Sequence, residues 1–159
     1  MATRSTISVV TKEGKVQQIY CHWDGYLSYN GRILKEFYNT LDKALELVSF
    51  GDMSSLREKC IPDPEYSHTF DQPQQDVSVY YGRDRQESNV DAEVYSNIGE
   101  YCEKLPREEY DYLFYEGKWY LVDDKSVIEL TDELLEDEDF DYVEKILSNA
   151  ERKLLYWSW

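Results

Sequence analysis

The chain lacks any apolar run approaching the roughly 20 residues that span a bilayer, and its start, Met1-Ala2-Thr3-Arg4-Ser5, has no apolar signal-peptide core. No membrane partner is expected, and a cytoplasmic location is. Cysteine is scarce: Cys21, Cys60 and Cys102 are odd in number and widely spaced. They read as half-buried thiols rather than a disulfide framework. With 7 Gly and 4 Pro, the sequence is neither collagenous nor a Pro/Gly-rich disordered chain. Bases are also short, 17 Lys+Arg against 33 Asp+Glu, for a net charge of −16. Binding nucleic acid by phosphate neutralisation needs a basic face, so direct nucleic-acid binding is not expected. Gly-x-Ser-x-Gly, P-loop and Gly-x-Gly-x-x-Gly motifs are absent, as are Cys-x-x-Cys and His-Glu-x-x-His. Cys21, His22, Cys60, His68 and Cys102 are too scattered to read as a metal site, so no metal and no cofactor are expected.

What the chain does have is enough apolar residue, 42% over 159 positions, for one domain spanning 1–159 with a real core. It also carries 15 Tyr and 4 Trp, residues suited to half-buried strands and to interfaces. Charge is unevenly spread. Residues 87–159 hold 21 acids against 7 bases, so nearly all the imbalance lies in the second half. The densest run includes Asp132, Glu133, Glu136, Asp137, Glu138, Asp139 and Asp141. It reads either as a solvated helix face or as an array of carboxylates imitating the phosphates of a nucleic acid.

Local patterns predict the elements. Thr6–Val10 and Val16–Cys21 flank the turn Lys12-Glu13-Gly14-Lys15 as a β-hairpin. Ile33, Leu34, Phe37 and Tyr38 have helical spacing, with Asn30 as a possible N-cap. Thr40 can cap a second helix striped by Leu41, Ala44, Leu45 and Val48, with a break near Asn39 and a stop at Gly51. Cys60 to Gln75 reads as a loop, and Val77–Tyr81 as a strand with Val77, Val79 and Tyr81 on one face, ended by Gly82–Arg85. Ser96 to Leu105 suggests a short helix stopped by Pro106. Tyr110–Tyr115 and Lys118–Val122 form a clear hairpin about Glu116-Gly117, and Val127–Leu130 adds a short strand. Thr131 can cap an acidic helix whose apolar stripe continues through Phe140, Val143, Leu147, Ala150 and Leu154. Hairpins and helices segregate along the chain. That predicts an α+β fold, a mostly antiparallel sheet built from N-terminal and central hairpins with helices packed on one side.

Two polar clusters fall at predicted strand ends, Cys21-His22-Trp23-Asp24 and Arg83-Asp84-Arg85. Side by side, His22, Trp23, Asp24, Arg83 and Arg85 would make a pocket for a nucleotide, with guanidiniums on phosphate and an indole on the base. The plainer expectation is that His22 pairs with Asp24 while Arg83 and Arg85 bridge to the acidic half.

Tyr20-Cys21-His22-Trp23-Asp24-Gly25-Tyr26, Gly51-Asp52-Met53-Ser54-Ser55-Leu56, Tyr81-Gly82-Arg83-Asp84-Arg85 and Gly117-Lys118-Trp119-Tyr120 together resemble a group of small acidic proteins encoded by tailed phages and prophages. The resemblance touches most of the chain, with Leu27 where that group has Pro. It carries no assigned activity and therefore no catalytic residues. It implies a host-takeover or anti-defence factor acting in the cytoplasm of a host bacterium. The leading expectation is a non-enzymatic inhibitor that binds a host or anti-phage defence protein with a basic nucleic-acid-binding groove. The alternative is a nucleotide-binding or nucleotide-modifying protein using the His/Asp/Arg pocket. No heptads or long repeats support a virion component.

Overall fold

A computed structural model describes residues 2–105, 107–124, 126–136 and 151–154. Along the chain run β1 (Ser5–Val10), β2 (Val16–Cys21), a π-helical turn (Leu27–Gly31), α1 (Arg32–Phe37) and α2 (Leu41–Ser49). Then come β3 (Met53–Ser55), β4 (Val79–Tyr80), α3 (Tyr81–Arg85), β5 (Glu93–Tyr95) and α4 (Ile98–Cys102). The chain continues with β6 (Tyr110–Tyr115), β7 (Lys118–Asp123), β8 (Ser126–Glu129), α5 (Asp132–Glu136) and β9 (Lys153–Leu154).

Both expected hairpins form. In the second, Glu116 and Gly117 take φ of 48° and 85°, the left-handed pair that matches a two-residue turn to strand twist. The two hairpins join through their first strands: β1 lies parallel to β6, with Ile7 opposite Tyr112. The strand order β4-β3-β2-β1-β6-β7-β8-β9 makes one sheet, and β5 pairs with β2 off that path. The β1–β6 and β2–β3 pairs are parallel and the rest antiparallel. The outer edge of β2 is shared. Val16–Gln18 pair with β5 and Cys21 pairs with β3. The Tyr20 N–H between them donates to Asp52 Oδ1 at 2.9 Å, so a carboxylate fills the gap in the ladder.

Alternation divides the sheet into two faces. Ile7, Val9, Ile19, Tyr112, Phe114, Trp119 and Ile128 pack with Leu34, Leu47, Val48, Leu134 and Leu135 from α1, α2 and α5. Each such side chain contributes about 1.5–3 kcal/mol on burial. Val10, Val16, Leu113, Val122 and Val127 point the other way, against Tyr95, Tyr101 and Cys102. Helices therefore cover both faces, correcting the expectation of one. The second face needs α4 because β1 and β6 carry apolar side chains on both sides. Its centre is polar: Thr6, Ser8, Gln18 and Asp111 are all buried.

Local signals succeed where caps are local. Thr40 Oγ1 accepts from Lys43 N–H at 3.2 Å, α1 and α2 separate at Tyr38–Thr40, and Gly51 takes φ of +83°. Asn30 is not an N-cap; it is buried within the π-helical turn. Its amide donates to Ser5 Oγ (3.2 Å) and Trp23 O (3.4 Å). The strand expected over Val77–Tyr81 shortens to β4, because Tyr81 opens α3 and Gly82–Arg85 are helical. Leu154 lies in a strand beside β8 rather than ending a helical stripe. The other stripe positions after Leu135, and the terminal aromatics, lie outside the described residues. All three cysteines are buried, more fully than expected, and none forms a disulfide. Among the described residues no helix is long and apolar enough to cross a membrane.

Candidate functional site

The first cluster sits where β2 leaves β1. His22 and Trp23 N–H donate to Met53 O (3.1 Å) and Ser54 O (3.0 Å), and Gly25 N–H donates to Thr3 O (2.8 Å). Gly25 has no room for a side chain, since a Cβ would lie 2.8 Å from Thr3 O. Asp24 adopts φ of 57°, a left-handed state that short polar residues tolerate. His22 Nδ1 is 2.7 Å from the Tyr20 hydroxyl, so His22 pairs with Tyr20 and not with Asp24. The Asp24 carboxylate forms no hydrogen bond or ion pair among the described residues. Trp23 is 42% exposed and Tyr26 37%.

The second cluster serves the loop. Arg83 Nη1 donates to Cys60 O, Nη2 to Ser78 O (2.9 Å) and Nε to Asp84 Oδ1 (2.8 Å). Its guanidinium lies 4.8 Å from the Tyr80 ring centre and 5.1 Å from Phe50. His68 completes the clasp. Gln74 N–H donates to its Nδ1 (2.9 Å), which leaves the proton of the neutral ring on Nε2, 3.2 Å from Asp84 Oδ2. Burial pushes the Asp84 carboxyl up, but the Arg83 hydrogen bond, the Tyr80 N–H and the Arg83 charge outweigh it and hold it below its ordinary range. Arg85 pairs with Glu87, the first acid of the acidic half, at 2.7 Å, and lies 4.3 Å and 4.9 Å from the Phe70 and Tyr81 ring centres. No hydrogen bond, ion pair or ring contact among the described residues joins His22, Trp23 or Asp24 to Arg83 or Arg85. The sequence offered no sign that His68 is the partner of Asp84, because that contact depends on how the loop folds back.

In the acidic half, Thr131 Oγ1 accepts from Leu134 N–H at 3.4 Å, opening α5. Asp132 and Glu133 are exposed in its first turn, where the helix dipole favours them. Lys35 Nζ meets Asp132 at 2.8 Å. Glu136 closes the described part of α5, and Asp137, Glu138, Asp139 and Asp141 lie outside the described residues. Charges of both signs surround α4. Glu100, Glu103 and Glu109 are exposed. Lys104 lies 5.4 Å over the Tyr95 ring, and Arg107 lies 4.8 Å from Tyr95 and 4.5 Å from Tyr101. Lys104 is exposed like these glutamates, whereas Arg107 is half-buried on its ring faces.

Little else invites chemistry. Burial pushes the Cys21 thiol up to about 12 and raises Cys60 as well, so neither is an activated nucleophile. No group of three or more His, Cys, Asp or Glu among the described residues could hold a metal ion. An open cleft of about 610 Å³ lies between the two hairpin turns and the start of α4, with Lys12 and Glu116 as its charged lining. No family model, curated protein or solved structure matches the chain, and its function is read from its own residues.

Proposed function

We propose that the chain is a non-enzymatic, phage-encoded accessory protein that binds and inhibits a host or anti-phage defence protein through an acidic, nucleic-acid-mimicking surface. The observation that carries this reading is the concentration of charge. Residues 87–159 hold 21 acids against 7 bases, and around α4 Glu100, Glu103 and Glu109 are exposed while Arg107 is half-buried against Tyr95 and Tyr101. Residues Asp132, Glu133, Glu136, Asp137, Glu138, Asp139 and Asp141 form the proposed contact surface. The phage origin rests on the sequence resemblance alone.

The physics is that of a competitor. A groove built for duplex DNA meets one charge per roughly 1.7 Å of axis, and a dense carboxylate face answers the same lysines and arginines. Long-range attraction speeds encounter, and salt weakens it. The partner is a host or defence protein, and the chain itself does not bind nucleic acid.

A tagged pull-down from bacterial lysate, eluted in rising salt and read by mass spectrometry, tests the reading. The expected result is a stoichiometric nucleic-acid-handling protein released by salt. Changing Glu136, Asp137, Glu138 and Asp139 to Lys should abolish that capture while the far-ultraviolet spectrum is unchanged; full binding by the folded variant would sink the mimic mechanism. No comparable observation favours a nucleotide pocket, since Arg83 gives its hydrogen bonds to Asp84 and to backbone carbonyls.

A further inference from the structure

The stretch from Tyr20 to Tyr26 has no part in the acidic surface, yet its backbone is held from several sides. Trp23 N–H is tied to β3 and Gly25 N–H to the N-terminal segment. The Tyr112 hydroxyl, rising from the sheet, donates to Gly25 O at 2.6 Å, and Asn30 N–H donates to Asp24 O. Asp24 is left-handed, and the next residues form a π-helical turn. Uncommon backbone states persist only where the surroundings impose them, and they concentrate at functional sites. On this frame Trp23 and Tyr26 are exposed and Asp24 between them is half-buried. Tyr29 stands behind them, its ring 6.1 Å from that of Tyr26. Its hydroxyl is raised first by burial and then by the nearby Asp24 charge. Arg57 is also near Tyr29, but its guanidinium donates to Gln74 O and Gln75 O.

We infer that this corner is a receptor for an arginine side chain of a basic protein partner. The inference rests on the reading of the chain as a binder of basic proteins, and it names the side chain the partner contributes. A guanidinium is drawn to ring faces and takes a carboxylate with directed N–H bonds. The fold already contains that arrangement: Arg85 lies 4.3 Å from the Phe70 ring and 4.9 Å from Tyr81, with Glu87 Oε2 accepting from both Nε and Nη2. At the corner the rings and the carboxylate are present, and no cation of the described chain pairs with Asp24. Arginine fits better than lysine because its plane can stack and bond at once. Rigid aromatic anchors also lose little entropy on docking, as binding hot spots require. A polyanion is a poor occupant for a chain of net charge −16.

Labelled hexa-arginine and hexa-lysine peptides, titrated by fluorescence anisotropy at moderate salt, test this directly. The wild-type protein should bind hexa-arginine about ten-fold more tightly than hexa-lysine. Trp23→Ala and Asp24→Asn should each erase that preference and leave hexa-lysine binding unchanged. Asn keeps the left-handed backbone, so the second variant removes charge alone, and melting curves check that both fold. Lysines at Glu136, Asp137, Glu138 and Asp139 should weaken both peptides equally and preserve the ratio. If that quadruple variant binds as wild type does while the ratio persists, the mimic surface fails and the arginine receptor stands. Equal affinity for the two peptides overturns the receptor. So does a preference that survives in Trp23→Ala and Asp24→Asn.

Discussion

Asp52 does the work of a missing strand residue, and the pH dependence of that role can be worked out. Burial raises its carboxyl above the ordinary value. The Tyr20 N–H opposes this, and Glu93, Asp91 and Glu87 add to it. A carboxyl raised by folding favours the folded state at low pH and loses that contribution as pH rises through the raised value. Asp52→Asn keeps an acceptor for Tyr20 N–H and carries no charge. The variant should therefore be more stable than wild type at neutral pH and equal to it below the usual carboxylate range, as urea unfolding at both would show. Asp84 has the opposite sign. Its lowered carboxyl contributes stability above the usual range, which is lost as pH falls through the lowered value. Asp84→Ala leaves Arg83 and His68 without their shared acceptor. A loss on the order of 3–5 kcal/mol is expected, together with proteolytic cutting within residues 60–75.

At the level of elements, α4 is the weakest cover. Beneath and beside it Gln18 Nε2 and Arg107 Nη1 are buried without a protein partner among the described residues. Groups of this kind carry a penalty of about 1–3 kcal/mol each, and low-stability segments open first. Iodoacetamide should accordingly modify Cys102, on α4, faster than Cys21 or Cys60 under native conditions. Equal rates for all three by mass spectrometry would mean that α4 opens only with the whole fold. Legibility follows the same division between local and distant partners. Thr40, Gly51 and the Glu116-Gly117 turn were readable because each acts within a few residues. Asn30, Asp52 and His68 were not, because Ser5, Tyr20 and Asp84 reach them only once the chain has folded back. Val10 and Leu113, on the second face of β1 and β6, pack with α4 there, where segregation along the chain had suggested a single covered side. In the candidate sites, the sequence placed His22, Trp23 and Asp24 at a strand end, and Asp132 and Glu133 are exposed in the first turn of α5, but it joined Arg83 to the wrong neighbours.

On the scale of the whole molecule, a net charge of −16 sets two opposite salt responses. Self-repulsion opposes compaction and is screened by ions, so the melting temperature of the isolated protein should rise with added sodium chloride. Its complex with a basic partner should weaken over the same range, and a melting temperature that falls with salt would show that attractive pairs outweigh repulsion. The parallel pairing of β1 with β6 has a consequence for biosynthesis. Thr6 and its partner Asp111 are 105 residues apart. At about 5–20 residues per second on the ribosome, the N-terminal hairpin waits roughly 5–20 s before the strand that covers its inner edge emerges. During that interval the inner edge of β1, which carries Ile7 and Val9, stays without its strand partner, and an uncovered strand edge is a hazard. A nascent chain stalled before residue 110 is therefore a substrate for chaperones, and the fold closes late, from its middle.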